Sequence, residues 1–76
     1  MPGALLGWVE RMIDEVQASG NAIAHGVVDP GEFRRLLRKE ARARNVHVRT
    51  GTAEADRHIV WIFDTDWDWR DGGNDV

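Results

Sequence analysis

The sequence predicts an α+β fold: two helices packed on a small antiparallel sheet, in the order helix, loop or short strand, helix, β-hairpin, with an acidic C-terminal tail. Three observations carry that expectation. Apolar residues recur with a 3.6-residue period over 4–18 and again over 30–44. From residue 46 the period falls to two. Between the helical stretches, Asp29-Pro30-Gly31-Glu32 has the composition of a helix start. A chain of 76 residues is one domain at most, read here as 1–70 with 71–76 a disordered tail. Leu, Ile, Val and Phe supply 18 of the 76 residues. That fraction lies above the ~20% below which charged chains stay unfolded.

In the first helix, Leu5, Val9, Met12, Ile13 and Val16 form the apolar stripe, with Trp8 beside it. Ser19-Gly20-Asn21 is a C-terminal stop in which Gly or Asn takes the left-handed position. Residues 20–28 fit either a loop with a helical turn or a short strand ending at Val27-Val28. The second helix runs over 30–44, with Asp29 as N-cap, Pro30 at N1, Glu32 at N3 and Asn45 as the cap at its end. Phe33, Leu36, Leu37 and Ala41 face inward, and Arg34, Arg35, Arg38, Lys39 and Arg42 face out.

Residues 46–50 alternate as a half-buried strand, 51–56 form a hairpin loop, and 57–63 form a second strand that is apolar on both faces. Ile59, Trp61 and Phe63 are expected on the helix side. With the helical stripes, Leu36 and the inward Val46 and Val48 they complete the expected core. Val60 and Ile62 then remain outside, and a helix-free apolar face on so small a sheet predicts a homodimer.

Composition excludes several functions. Without cysteine the chain is no disulfide scaffold, cysteine-ligated zinc module or iron–sulfur protein. No apolar run approaches the ~18 residues of a membrane span, and no basic stretch precedes the N-terminal apolar residues, so a cytoplasmic protein without membrane contact is expected. One serine, no cysteine and no tyrosine leave little for nucleophilic catalysis, and a non-enzymatic role is expected. His25, His47 and His58 lack the spacing of a helical ligand pair. Asp64, Asp66 and Asp68 match three positions of a calcium loop, but Trp69 stands where that loop needs glycine. No metal or other cofactor is therefore expected.

The net charge of −3 hides a segregation: residues 1–29 carry −3, 30–58 carry +4 and 59–76 carry −4. The central basic segment leads to the main functional expectation, a small nucleic-acid-binding accessory or regulatory protein. Arg34, Arg35, Arg38, Lys39 and Arg42 would meet phosphates, and Arg49 and Arg57 would reach the backbone or groove from the hairpin. A cationic helix running into a hairpin is the order of a recognition helix and wing, one helix short of a full winged helix. The alternative uses the acidic segment. Asp64, Asp66, Trp67, Asp68 and Trp69 would form an extended strand that engages a basic protein surface, as in a small inhibitor or adaptor of the phage or mobile-element type.

Overall fold

The computed structural model describes residues 2–67. Helix α1 (Pro2–Ser19) leads into strand β1 (Asn21–Ala24), helix α2 (Pro30–Ala43) and strands β2 (Val48–Thr52) and β3 (Val60–Asp64). The sheet order is β1-β3-β2, with both pairings antiparallel. β1 and β2 therefore run parallel to each other. α2 carries the chain across, and β3 returns between them. Both helices pack on one face of this sheet in a single apolar cluster.

The helix ends follow from their sequences. Asp29 caps α2: its side chain accepts from the Glu32 N–H at 3.2 Å and its carbonyl from the Phe33 N–H at 2.9 Å. The reciprocal half of a capping box is missing, because Glu32 turns to Arg35 instead. At the other end Asn45 adopts φ 60°, the Asn45 N–H donates to Arg42 O and the Val46 N–H to Ala41 O. That is the six-to-one and five-to-two pairing of a Schellman cap. Because Val46 is spent on this cap, β2 starts at Val48, two residues later than the alternation suggests. α1 ends on Gly20, at φ 93°, with the simpler left-handed cap: the Gly20 N–H donates to Val16 O at 2.8 Å.

Residues 20–28, open to two readings from sequence, contain β1. Ala22 and Ala24 face the helices and Ile23 faces away. Past Gly26 the chain meets the turn that precedes β3: the Val27 N–H donates to His58 O, and the Val27 carbonyl accepts from His58 Nδ1, both at 2.8 Å.

The helical half of the expected core is as read. Val9, Met12, Ile13, Val16, Phe33, Leu37 and Ala41 are buried, and Leu5, Trp8 and Leu36 pack against them. Trp8 meets Phe33 with ring centroids 4.8 Å apart. The β3 half is reversed. Val60 and Ile62 are the buried residues, at 0% and 1% exposure, and Ile59, Trp61 and Phe63 are not in the core. The register explains the reversal. Ile62 lies between Ala22 and Thr50, and Val60 between Ala24 and Thr52, whereas Phe63 pairs with Arg49 and Trp61 with Gly51. A guanidinium on the helix side would be buried without water, so Arg49 and its row face out. The homodimer expected on Val60 and Ile62 loses its ground, since both lie under the helices.

Gly51 is a strand residue and not part of the turn. A Cβ there would stand 2.9 Å from Cε2 of Trp61, so the indole fills the space above it. The turn itself covers 53–59, closed by Ala53 N–H to Ile59 O at 2.9 Å and by Asp56, which accepts from the His58 and Ile59 N–H groups.

Candidate nucleic-acid interface

α2 turns Phe33, Leu37 and Ala41 inward, and the 3.6-residue period then puts Arg35, Arg38, Lys39 and Arg42 on the opposite side. These four line one shallow depression on the helix surface. Arg38 and Arg42 also border a second cleft, shared with Asn45, His47 and Val48 beside the start of β2. Among the described residues, ion pairs within 4 Å involve Arg35, Arg44 and His47, and none involves Arg38, Lys39 or Arg42.

Two of the arginines do other work. Arg34 is half-buried and donates from Nη2 to Thr50 O at 2.9 Å, which ties α2 to β2. Arg35 forms a two-pronged pair with Glu32, Nε to Oε1 at 2.9 Å and Nη2 to Oε2 at 2.7 Å. These hydrogen bonds hold the Glu32 carboxyl below its ordinary pKa and raise that of Arg35. Arg44, which the charge pattern lumps with the basic helix, is a clamp between helices. Its Nη1 donates to Asp14 at 2.6 Å and Gln17 at 3.0 Å, and its Nε to Glu40 at 2.7 Å. The Asp14 hydrogen bond first, then that of Glu40, raises its pKa further.

The hairpin arginines do not join the α2 surface as a wing would. Arg57 sits near the start of α2, in a depression shared with Pro30, Gly31 and Arg34. Arg49 is exposed on the sheet face away from both helices.

The acidic residues are dispersed as well. Asp64 shares the helix side with Val60 and Ile62, is 4% exposed, and accepts the Asp66 N–H at 2.8 Å. Asp66 Oδ2 meets His47 Nδ1 at 2.8 Å. Trp67 lies over Gly20, where a Cβ would come within 2.8 Å of its Cγ. Asp68, Trp69 and the tail 71–76 lie outside the described residues. No group of three or more His, Cys, Asp or Glu among the described residues is placed to hold a metal, and no helix among them is long and apolar enough to cross a membrane.

Sequence reasoning missed one surface. On the helix-free sheet face the row Asn21–Phe63–Arg49 lies beside the row Ile23–Trp61–Gly51. Ile23 is 57% and Phe63 38% exposed. The Trp61 and Phe63 rings are near parallel, 13° apart in plane with centroids at 5.7 Å. The available signal was a glycine, Gly51, placed within a strand pattern two residues beyond an arginine.

Compared with protein-family models, curated proteins and solved structures, the chain matches none.

Proposed function

We propose that this protein is a non-enzymatic nucleic-acid-binding protein that grips the sugar–phosphate backbone with the outer face of α2. The observation that carries the reading is the row Arg35, Arg38, Lys39 and Arg42 around one depression, with Glu32 the single carboxylate paired to it among the described residues. Such a row would ordinarily be offset by neighbouring acids in a chain of net charge −3. Here α1's Asp14 and the helix's own Glu40 are drawn to Arg44, away from the row. Arg38, Lys39 and Arg42, which have no ion-pair partner among the described residues, can each displace a counterion from a phosphate. Arg34 takes no part, because its guanidinium is committed to Thr50. The acidic-strand alternative has less support: Asp64 is buried, Asp66 is engaged by His47, and Trp67 covers Gly20.

The test is fluorescence anisotropy of a labelled 20-base-pair duplex titrated with the protein at about 50 and 200 mM salt, the range over which phosphate contacts weaken most visibly. With three to four phosphates neutralised, log K falls against log salt with a slope of about −3. Arg38→Glu with Arg42→Glu abolishes binding while the far-UV circular dichroism is unchanged, since both side chains point away from the core. No affinity of the parent protein at 50 mM salt removes the reading.

A further inference from the structure

We infer that the helix-free face of the sheet is a second binding surface, for the unstacked bases of single-stranded nucleic acid. This goes beyond the α2 reading: the surface lies on the other side of the sheet and takes a different form of the polymer. Its parts are Trp61 and Phe63 on the central strand, Arg49 beside Phe63, Asn21 on its other side, and Ile23 next to Trp61. The indole lies over Gly51, held by a hydrogen bond from Nε1 to Thr52 O at 3.1 Å, so one side rests on the β2 backbone and the other is turned from the sheet. Gly51 makes this placement possible, because any Cβ would collide with the ring. Phe63 lies nearly parallel to it.

Charge and size select the occupant. The six residues of this face include Arg49 and no carboxylate, although acids outnumber bases in the chain by 13 to 10. A flat aromatic pair with a guanidinium beside it suits a base on each ring and a phosphate at Arg49. A second copy of this chain is a poor fit. Three strands about 4.8 Å apart and five residues of ~3.3 Å each give a face on the order of 200 Å². Two such faces fall well short of the ~1,200 Å² of a stable interface, and a face-to-face pairing would also bring the two Arg49 residues onto the same small interface. Duplex is a poor fit too. In a duplex each base is paired at its edge and covered on both faces by its neighbours, so neither ring reaches a free base face. Two successive bases can each meet a ring only when splayed apart, which a single strand permits.

The experiment titrates labelled (dT)10 and a 10-base-pair duplex into the full chain at about 50 mM salt, reading anisotropy and tryptophan fluorescence. The expected result is (dT)10 binding with quenching of tryptophan emission. Phe63→Leu keeps the apolar bulk and removes the flat ring, and it weakens (dT)10 binding about tenfold, within the range for one base stack. Duplex binding and the melting temperature stay as in the parent. Trp61→Phe removes the indole whose emission reports the contact, so (dT)10 bound to this variant, as followed by anisotropy, gives little of the parent's quenching. Failure of (dT)10 to bind, full affinity in Phe63→Leu, or undiminished quenching in Trp61→Phe overturns the inference. The helix reading is tested separately: if it holds, Arg38→Glu with Arg42→Glu removes duplex binding and leaves (dT)10 within a few-fold of the parent, and if it fails, duplex binding is unchanged by the pair while the (dT)10 results stand.

Discussion

Gly51→Ala is the substitution whose outcome depends most directly on the observed register. The backbone of Gly51 is not in the left-handed region, so an L residue can adopt it. What excludes a side chain is Trp61. An added methyl carbon would lie 2.9 Å from Cε2 and 3.0 Å from Cη2 of the indole, closer than packed carbon atoms approach. The ring has little freedom to retreat, with Nε1 bonded to Thr52 O at 3.1 Å and Phe63 alongside. If the ring stays, overpacking costs about 1–3 kcal/mol. If it tilts away, it forfeits a hydrogen bond worth about 0.5–1.5 kcal/mol and the contact with β2. Against either, alanine lowers the entropy of the unfolded chain and returns about 0.4–1 kcal/mol. The net expectation is a loss of about 1–2 kcal/mol. For a domain of this size that lowers the melting temperature by roughly 5–15 °C.

Far-UV circular dichroism in a urea series is the suitable assay, because tryptophan fluorescence would report the ring movement as well as unfolding. A Gly51→Ala protein as stable as its parent refutes the placement of the indole. The same substitution in a Trp61→Leu background supplies the control. With the ring gone, alanine becomes neutral or mildly stabilising, and a penalty that persists there locates the cause elsewhere.

Three further outcomes are expected. Ile62→Ala costs about 2–5 kcal/mol because it empties a fully buried site, while Ile23→Ala on the opposite face changes stability by less than about 0.5 kcal/mol; equal effects in denaturant melts would contradict the assignment of faces. Asp29→Ala lowers stability by about 0.5–2 kcal/mol through loss of the cap on the Glu32 N–H, read as a shift in thermal midpoint. The pH dependence of Glu32 follows from its lowered pKa in the fold: its pairing with Arg35 stabilises α2 above the ordinary glutamate range and fades as pH falls through the depressed value. The difference between the parent and Glu32→Gln should therefore close in acid, and a gap that widens below that range would reverse the sign.

The basic face of α2 was legible because a helix fixes the direction of every side chain once one apolar stripe is known. Phe33, Leu37 and Ala41 locate the core side, and Arg35, Arg38, Lys39 and Arg42 must then point outward. The caps were legible for the same reason: Asp29, Pro30, Gly20 and Asn45 act on backbone groups within five residues of themselves. Contacts between distant segments were not. Arg34 and Arg44 look like members of the basic face, and only the placement of β2 and α1 reveals them as ties to Thr50 and to Asp14.

The aromatic face was misread through a single residue of loop length. In a strand that is apolar on both sides the period of two is clear, but which set faces the helices is not; the partner strand decides. A loop over 51–56 has six residues and pairs Thr50 with Arg57, hence Val48 with Ile59. Because Val48 is held inward, Ile59, Trp61 and Phe63 would follow it to the helix side. The actual loop is 53–59, seven residues, and it pairs Thr52 with Val60 and Val48 with Asp64. That one change in parity brings Val60 and Ile62 inside, takes Asp64 in with them, and releases Trp61 and Phe63 to the surface. Glycine misled the count: Gly51 suggests a turn by composition, yet it is glycine because Trp61 lies across it. The β1 strand adds the steric half of the argument. Ala22 and Ala24 leave room for α1 to sit low on the sheet, where Val9, Ile13 and Val16 meet Val60 and Ile62 in one cluster. Two large rings in that layer would lift the helix off it, so bulk as well as charge assigns Trp61 and Phe63 to the open side.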